Sequence, residues 1–183
     1  MLSDIIYGLI FAPSATFKKI GEDKPVILSL LVFLVISVIN LPLYRGILLH
    51  QNTVSIMHKA QWFWILGWMG IFFSFLVLFF LAGLYSLLSE IIFKKGNAVG
   101  ILACFGFAAF PGVIGSACQY GALLLDFTTV GFLCSFLAIL WMIALQILAL
   151  REALDIQSGQ AILLFLSPGF LLLIFLLLVL WVS

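Results

Sequence analysis

Seven carboxylates, eight basic residues, two histidines and three cysteines carry most of the chemistry available in these 183 residues, so their placement decides what the chain can do. His50 and His58 lie eight residues apart with no Glu between them. Zinc-binding histidines on one helix come at i,i+4 with a supporting carboxylate, so these two read as loop histidines. Cys104, Cys118 and Cys134 fall within or beside apolar runs, where cysteine acts as a small hydrophobe. An odd number there offers no disulfide framework. No carboxylate stands near either histidine to complete a Ser–His–Asp set, and no glycine pattern resembles a phosphate loop. The apolar runs contain no acid–base pair. The residues predict no enzyme, no metal and no cofactor.

Two other groups of polar residues remain. Asn40, Gln119, Tyr120 and Gln146 enter the apolar runs. They suit helix-to-helix hydrogen bonds of roughly 0.6–2 kcal/mol each, or, converging, a solute cavity. An ion-coupled transporter would place Asp, Glu, Arg or His at that depth, despite a cost of ~2.5–3.5 kcal/mol. The second group is charged and lies at the run ends. Lys18, Lys19, Glu90, Lys94, Lys95, Arg151 and Glu152 form a candidate docking face, with Asp4, Glu22, Asp23, Lys24 and Asp155 on the same side. Topology signal and lipid contact are the plainer reading of these charges.

The elements that position these groups follow from where charge is missing. Only 8% of the residues are Asp, Glu, Lys or Arg, 66% are hydrophobic, and mean hydropathy is +1.36. A water-facing surface cannot be covered by so few polar groups. Five runs are free of charge: Val26–Leu43, Trp62–Leu88, Val99–Leu125, Gly131–Leu150 and Ala161–Val182. Each approaches or exceeds the roughly 20 residues that cross a bilayer as a helix. Backbone groups in hydrocarbon must bond internally, and the runs do not alternate as barrel strands do. The expected fold is all-α: a polytopic bundle of five transmembrane helices (25–183) preceded by short in-plane helices (1–24). Helices and loops use up the length, leaving no room for a soluble catalytic domain. Met1–Lys24 lacks the pattern of a cleaved signal peptide.

Five spans put the termini on opposite sides. Lys18, Lys19, Lys24, Lys94, Lys95 and Arg151 fall on one side, and Arg45 and Lys59 on the other. The positive-inside rule then predicts a cell-membrane protein with a cytoplasmic N-terminus and Ser183 outside. Trp62, Trp64, Trp68 and Trp181 fall towards the outer interface, which suits an indole. The formal net charge of +1 predicts no nucleic-acid partner.

Along the chain, Pro13 divides the first segment, and Ser14 or Thr16 is an expected cap for its second helix. Glu90 and Lys94 suit an i,i+4 pair, and Lys95-Gly96-Asn97 suits a turn. Asp126 suits a turn or N-cap between the third and fourth runs. In the third run Ala108, Gly112 and Ser116 repeat every four residues beside Pro111. Small residues so spaced let another helix approach closely, and Pro111 predicts a bend. This span is expected at the centre, with the second run, which also carries spaced small residues, as its partner. The last run is bulky on every face from Phe170 to Trp181 and is expected at the periphery.

Several segments together resemble the Yip family of Ypt/Rab-interacting multispan membrane proteins. The stretch Phe11-Ala12-Pro13-Ser14-Ala15-Thr16-Phe17-Lys18-Lys19-Ile20 resembles its Pro-x-x-x-Phe-x-x-Ile segment. Phe107-Ala108-Ala109-Phe110-Pro111 is similar to the small-residue–Pro segment of its third span. Trp141, Ala149-Leu150-Arg151-Glu152 and Gln160-Ala161 resemble the end of its fourth span and the start of its fifth. The resemblance covers nearly the whole chain. It implies five membrane helices, a cytoplasmic N-terminus and no enzymatic activity. Eukaryotic members act in traffic between endoplasmic reticulum and Golgi and contact Rab GTPases. A long polar N-terminal region like theirs is missing, which implies a compact prokaryotic-type member and argues against Rab binding. The expected function is to present a cytoplasmic face to membrane lipids or to a membrane or cytoplasmic protein. The alternative is a small permease or lipid-handling protein with a polar cavity between the helices.

Overall fold

The computed structural model describes residues 2–50 and 60–182, which are helical apart from short connections. His58 lies outside them, and His50 ends a helix. Among the described residues eight helices follow one another: α1 (Leu2–Phe11), α2 (Pro13–Asp23), α3 (Val26–His50), α4 (Ala60–Phe93), α5 (Ala98–Ala108), α6 (Phe110–Leu124), α7 (Thr128–Leu154) and α8 (Ser158–Val182). Among the described residues, four stretches are long and apolar enough to cross a membrane: α3, Trp62–Phe93 of α4, α5–α6 taken together, and α7. The fifth expected run forms the 25-residue α8. The result is a polytopic helical membrane bundle.

The third run lies at its centre. Every residue from Gly100 to Ala108 is buried, because α3, α4 and α7 all pack on α5. The bend expected at Pro111 is a break. Helix α5 ends at Ala108, the carbonyl of its cap residue Ala109 accepts from Gly112 N at 3.0 Å, and α6 restarts with Pro111 in its first turn, where a missing N–H costs nothing.

The expected partner of this span needs correction. Its most extensive contacts are with α7 and α3, whereas α4 meets mainly the α5 half. Of the small residues of α4, Gly70 and Gly83 do not supply an interface, since a Cβ at either would meet nothing within 4 Å, whereas Ala82 and Ser86 are buried. Gly112 is not a point of close approach either, since a Cβ there would meet only Met142 Sδ at 4.0 Å. The tight places are elsewhere. A Cβ at Gly106 would collide with Ser29 Oγ and come within 2.8 Å of Ser29 O. One at Gly115 would lie 2.7 Å from Ala138 Cβ, and one at Gly131 would lie 3.2 Å from Gln119 O. Small residues do let the helices close, but at α3–α5 and α6–α7. Ala108, Pro111 and Ser116 are buried as the spacing suggests.

Helix α4 has 34 residues, about 51 Å at 1.5 Å per residue, longer than a hydrocarbon core. Near its start Arg45 of α3 lies over the Phe63 and Trp64 rings, at 5.9 and 5.7 Å from their centroids. Trp62, Trp64 and Trp68 are exposed there. Helix α8 buries Ala161 and Leu164 against the bundle, while Phe170, Leu173 and Leu176–Val179 are exposed.

Candidate docking face

The charged groups gather at one end of the bundle because α2, the close of α4, the start of α5 and the junction of α7 with α8 meet there. Helix α2 is more than a strip laid beside the bundle. Phe17, Ile20 and Gly21 recur at helical spacing and are buried, and a Cβ at Gly21 would come within 3.3 Å of Ala153 Cα. Cys104 Sγ approaches Phe17 O at 3.7 Å from inside the core. The short N-terminal helices expected here are α1 and α2, and α2 is seated on α7 and α5. Neither Ser14 nor Thr16 caps it. Ala12 holds the N-cap position with no side-chain bond, and Thr16 Oγ1 donates back to Ala12 O at 3.0 Å.

Ser14 has a different job. Its hydroxyl donates to Glu152 Oε1 at 2.6 Å and accepts from Arg151 Nη2 at 2.7 Å. Arg151 Nε reaches the same carboxylate oxygen at 2.9 Å, its Nη2 pairs with it too, and its Nη1 donates to Ser158 Oγ at 3.3 Å. One guanidinium thus joins α2, α7 and α8. Charge-assisted bonds of this kind are the stronger ones, and these groups are only part exposed.

A second tie crosses to the α4–α5 connection. Lys95 Nζ lies 3.3 Å from Asp155 Oδ2 and also donates to Asp155 O. Asn97 Nδ2 donates to Ala153 O at 2.9 Å, while its Oδ1 accepts from Gly100 N at 3.1 Å and caps α5. The left-handed residues in these connections are Lys94 (φ 59°) and Asp155 (φ 49°). Gly96 does not take that conformation. Lys94 leaves the helix at this point, and no ion pair joins it to Glu90 among the described residues.

The seven candidate docking residues therefore divide. Lys95, Arg151 and Glu152 hold the end together. Lys18, Lys19, Glu90 and Lys94 are exposed and have no ion pair within 4.0 Å among the described residues. Ser14, Asn97 and Asp155, which the sequence offered only as a cap, a turn residue and a surface charge, complete the ties.

The intramembrane polar residues do not form one group. Asn40 Oδ1 accepts from Ser116 Oγ, joining α3 to α6. Gln119 Oε1 accepts from Ser135 Oγ at 3.0 Å, joining α6 to α7, and the same hydroxyl lies 3.1 Å from Gly115 O. The Tyr120 ring lies over Gly46 of α3. Gln146, on α7, is half-buried. Asn40 and Gln119 thus serve separate helix contacts, and Ser29, with Oγ donating to Ala103 O at 2.7 Å, serves a third. Two cavities at the charged end include none of the four polar candidates. At the opposite end Asp126 occupies a left-handed turn (φ 58°) but leaves the N-cap of α7 to Phe127.

Neither a curated protein nor a solved structure matches the chain. The family model of the Yip1 domain matches residues 7–180, nearly the whole length, and the chain belongs to that family.

Proposed function

We propose that this Yip-family membrane protein is non-enzymatic and holds a rigid, charged cytoplasmic face out to a protein partner or to lipid. In this reading α8 is the fifth span, the N-terminus is cytoplasmic and Ser183 lies outside. The observation that carries the proposal is the division of the charges. One set is consumed in ties that fix α2 and the connections, and another stays exposed on those fixed elements. A surface whose backbone is already ordered loses little freedom when it binds. The separate use of Asn40 and Gln119 in helix contacts argues against a permease with a shared polar cavity.

The test is crosslinking in native membranes followed by recovery of the bound species. Replacing Lys18, Lys94 and Glu90 by Gln together should remove the crosslinked partners while thermal stability stays unchanged. Recovery of the same partners from the triple variant would overturn the proposal. Labelling of a cysteine placed at Ser183 from the cytoplasmic side would overturn the orientation.

A further inference from the structure

At the end of the bundle opposite the charged ties, Arg45 stands near the close of α3. It lies roughly 29 Å along the helix from Val26 at 1.5 Å per residue, close to the thickness of a hydrocarbon core. The exposed indoles of Trp62, Trp64 and Trp68 gather around the same level, as they do at a membrane interface. Arg45 is half-buried, with its guanidinium over the Phe63 and Trp64 rings, 5.9 and 5.7 Å from their centroids. Ring faces hold a cation in place but offer its N–H groups no lone pair. Among the described residues no ion pair and no hydrogen bond reaches this guanidinium. Arg151 differs, since Glu152, Ser14 and Ser158 take its N–H groups. Arg45 is therefore a positioned cation at the hydrocarbon boundary with its donors unused.

The register of α3 identifies the class of ligand. Val38 and Leu34, at i−7 and i−11, fall within about 20° of the azimuth of Arg45 at 3.6 residues per turn. Both are exposed, and so is Pro42 beside them. The guanidinium thus tops an apolar stripe that descends roughly 16 Å to Leu34, about half the thickness of the hydrocarbon core. A cation above one leaflet's depth of apolar surface complements an anionic head that carries acyl tails. A half-buried cation beside hydrocarbon is also costly without a counter-charge. We infer that Arg45 receives the phosphate of an anionic phospholipid in the leaflet opposite the charged face, with the acyl chains along Pro42, Val38 and Leu34.

The charge balance sets the selectivity. Asp126, the carboxylate of the α6–α7 turn at this end, makes no ion pair with Arg45 among the described residues. In phosphatidylglycerol the phosphate is the only charge, and the planar guanidinium can meet two of its oxygens at once. In phosphatidylcholine the same phosphate brings a quaternary ammonium, a like charge, close to Arg45. The expected order is phosphatidylglycerol before phosphatidylcholine. This site lies at the other end from the docking face and does not depend on a partner there.

The experiment uses the full chain, delipidated in detergent and titrated with each dioleoyl lipid, with bound lipid read by native mass spectrometry. Wild-type protein should retain phosphatidylglycerol about tenfold better than phosphatidylcholine, as expected when a charge-assisted pair distinguishes two heads. Arg45→Gln should bring that ratio near one. Arg45→Lys keeps the charge over the rings, and with it the fold, yet should lose most of the ratio because a point charge lacks the guanidinium fork. Lys94→Gln, at the charged end, should leave the ratio as in wild type. Equal retention of the two lipids by wild type, an unchanged ratio in both Arg45 variants, or loss of the ratio in Lys94→Gln would overturn the assignment. Glycerophosphoglycerol, which has the head but no tails, should fail to displace the lipid. Displacement at equal concentration would assign Arg45 to a soluble anion and refute the lipid.

Discussion

Replacing Gly106 by Ala should destabilise the bundle, and the same change at Gly112 should not. At Gly106 the new Cβ would sit 2.8 Å from Ser29 O and 3.1 Å from Ser29 C, besides colliding with Ser29 Oγ. Two of these are backbone atoms, so α3 must move bodily. Overpacking of this kind costs about 1–3 kcal/mol. Moving α3 also weakens the Ser29 Oγ bond to Ala103 O, worth roughly 0.6–1.7 kcal/mol inside a membrane. The gain in helix propensity from Gly to Ala offsets about 1 kcal/mol. The net expectation is a loss of about 1–3 kcal/mol. At Gly112 only the propensity gain remains, because the Cβ meets Met142 Sδ at an ordinary 4.0 Å. Reversible unfolding in mixed micelles of rising SDS fraction would read both variants. Ser29→Ala combined with Gly106→Ala should recover part of the loss, since the hydroxyl collision disappears while the carbonyl contact persists. A Gly106 variant as stable as wild type, or less stable protein from Gly112→Ala than from Gly106→Ala, would refute the close approach of α3 and α5.

Ser14→Ala removes the hydroxyl shared by Arg151 and Glu152 and should weaken the seating of α2 by about 1–2 kcal/mol, since the groups are only part buried. Hydrogen exchange should then quicken over residues 13–23 and stay unchanged in α6; equal exchange in both forms would show that the hydroxyl holds nothing. Asp155→Asn should leave the unfolding midpoint in place, because its side chain is fully exposed and Asn accepts a left-handed backbone, whereas Asp155→Val should lower it. Identical midpoints for the two variants would count against that turn. A hydrophobic maleimide that enters the detergent belt should reach Cys118 before Cys104 in the folded protein, and the difference should vanish in SDS, since Cys104 is wholly buried and Cys118 lies on the exposed surface of α6.

The membrane bundle was legible because lipid imposes a simple rule: uncharged runs of sufficient length must be helices. The central place of the third run was legible from its small residues. Which glycine closes on which helix was not. The break at Ala109 resets the helical phase, so the four-residue repeat through Ala108, Gly112 and Ser116 does not describe one continuous face. Gly106 before the break meets α3, and Gly115 after it meets α7. Pairing of charges was hidden for a related reason. The i,i+4 rule holds only inside a helix, and Lys94 has already left α4 when it would meet Glu90. Lys95 finds Asp155 60 residues away, and Ser14 finds Glu152 138 residues away. Local spacing cannot anticipate such partners, though it did place all of them on one side. The role of Ser14 was masked by a stronger local signal, since a Ser just after Pro13 looks like a cap.

The seating of α2 links the fold to the face it presents. Phe17, Ile20 and Gly21 point inward, so Lys18 and Lys19 must point outward from a helix that cannot roll. The position of those charges depends on Gly21, where α2 and α7 approach so closely that a Cβ would lie 3.3 Å from Ala153 Cα. Gly21→Ala asks the neighbour to give by a few tenths of an ångström, while Gly21→Val adds two methyls that have no such room. The valine variant keeps every charge in the sequence and loses only their arrangement. It should therefore lose crosslinked partners as fully as the Lys18, Lys94 and Glu90 triple variant does, with faster exchange confined to α1 and α2. Retained partners together with fast exchange in α2 would mean that charge alone is recognised and that the rigid seating contributes nothing to binding.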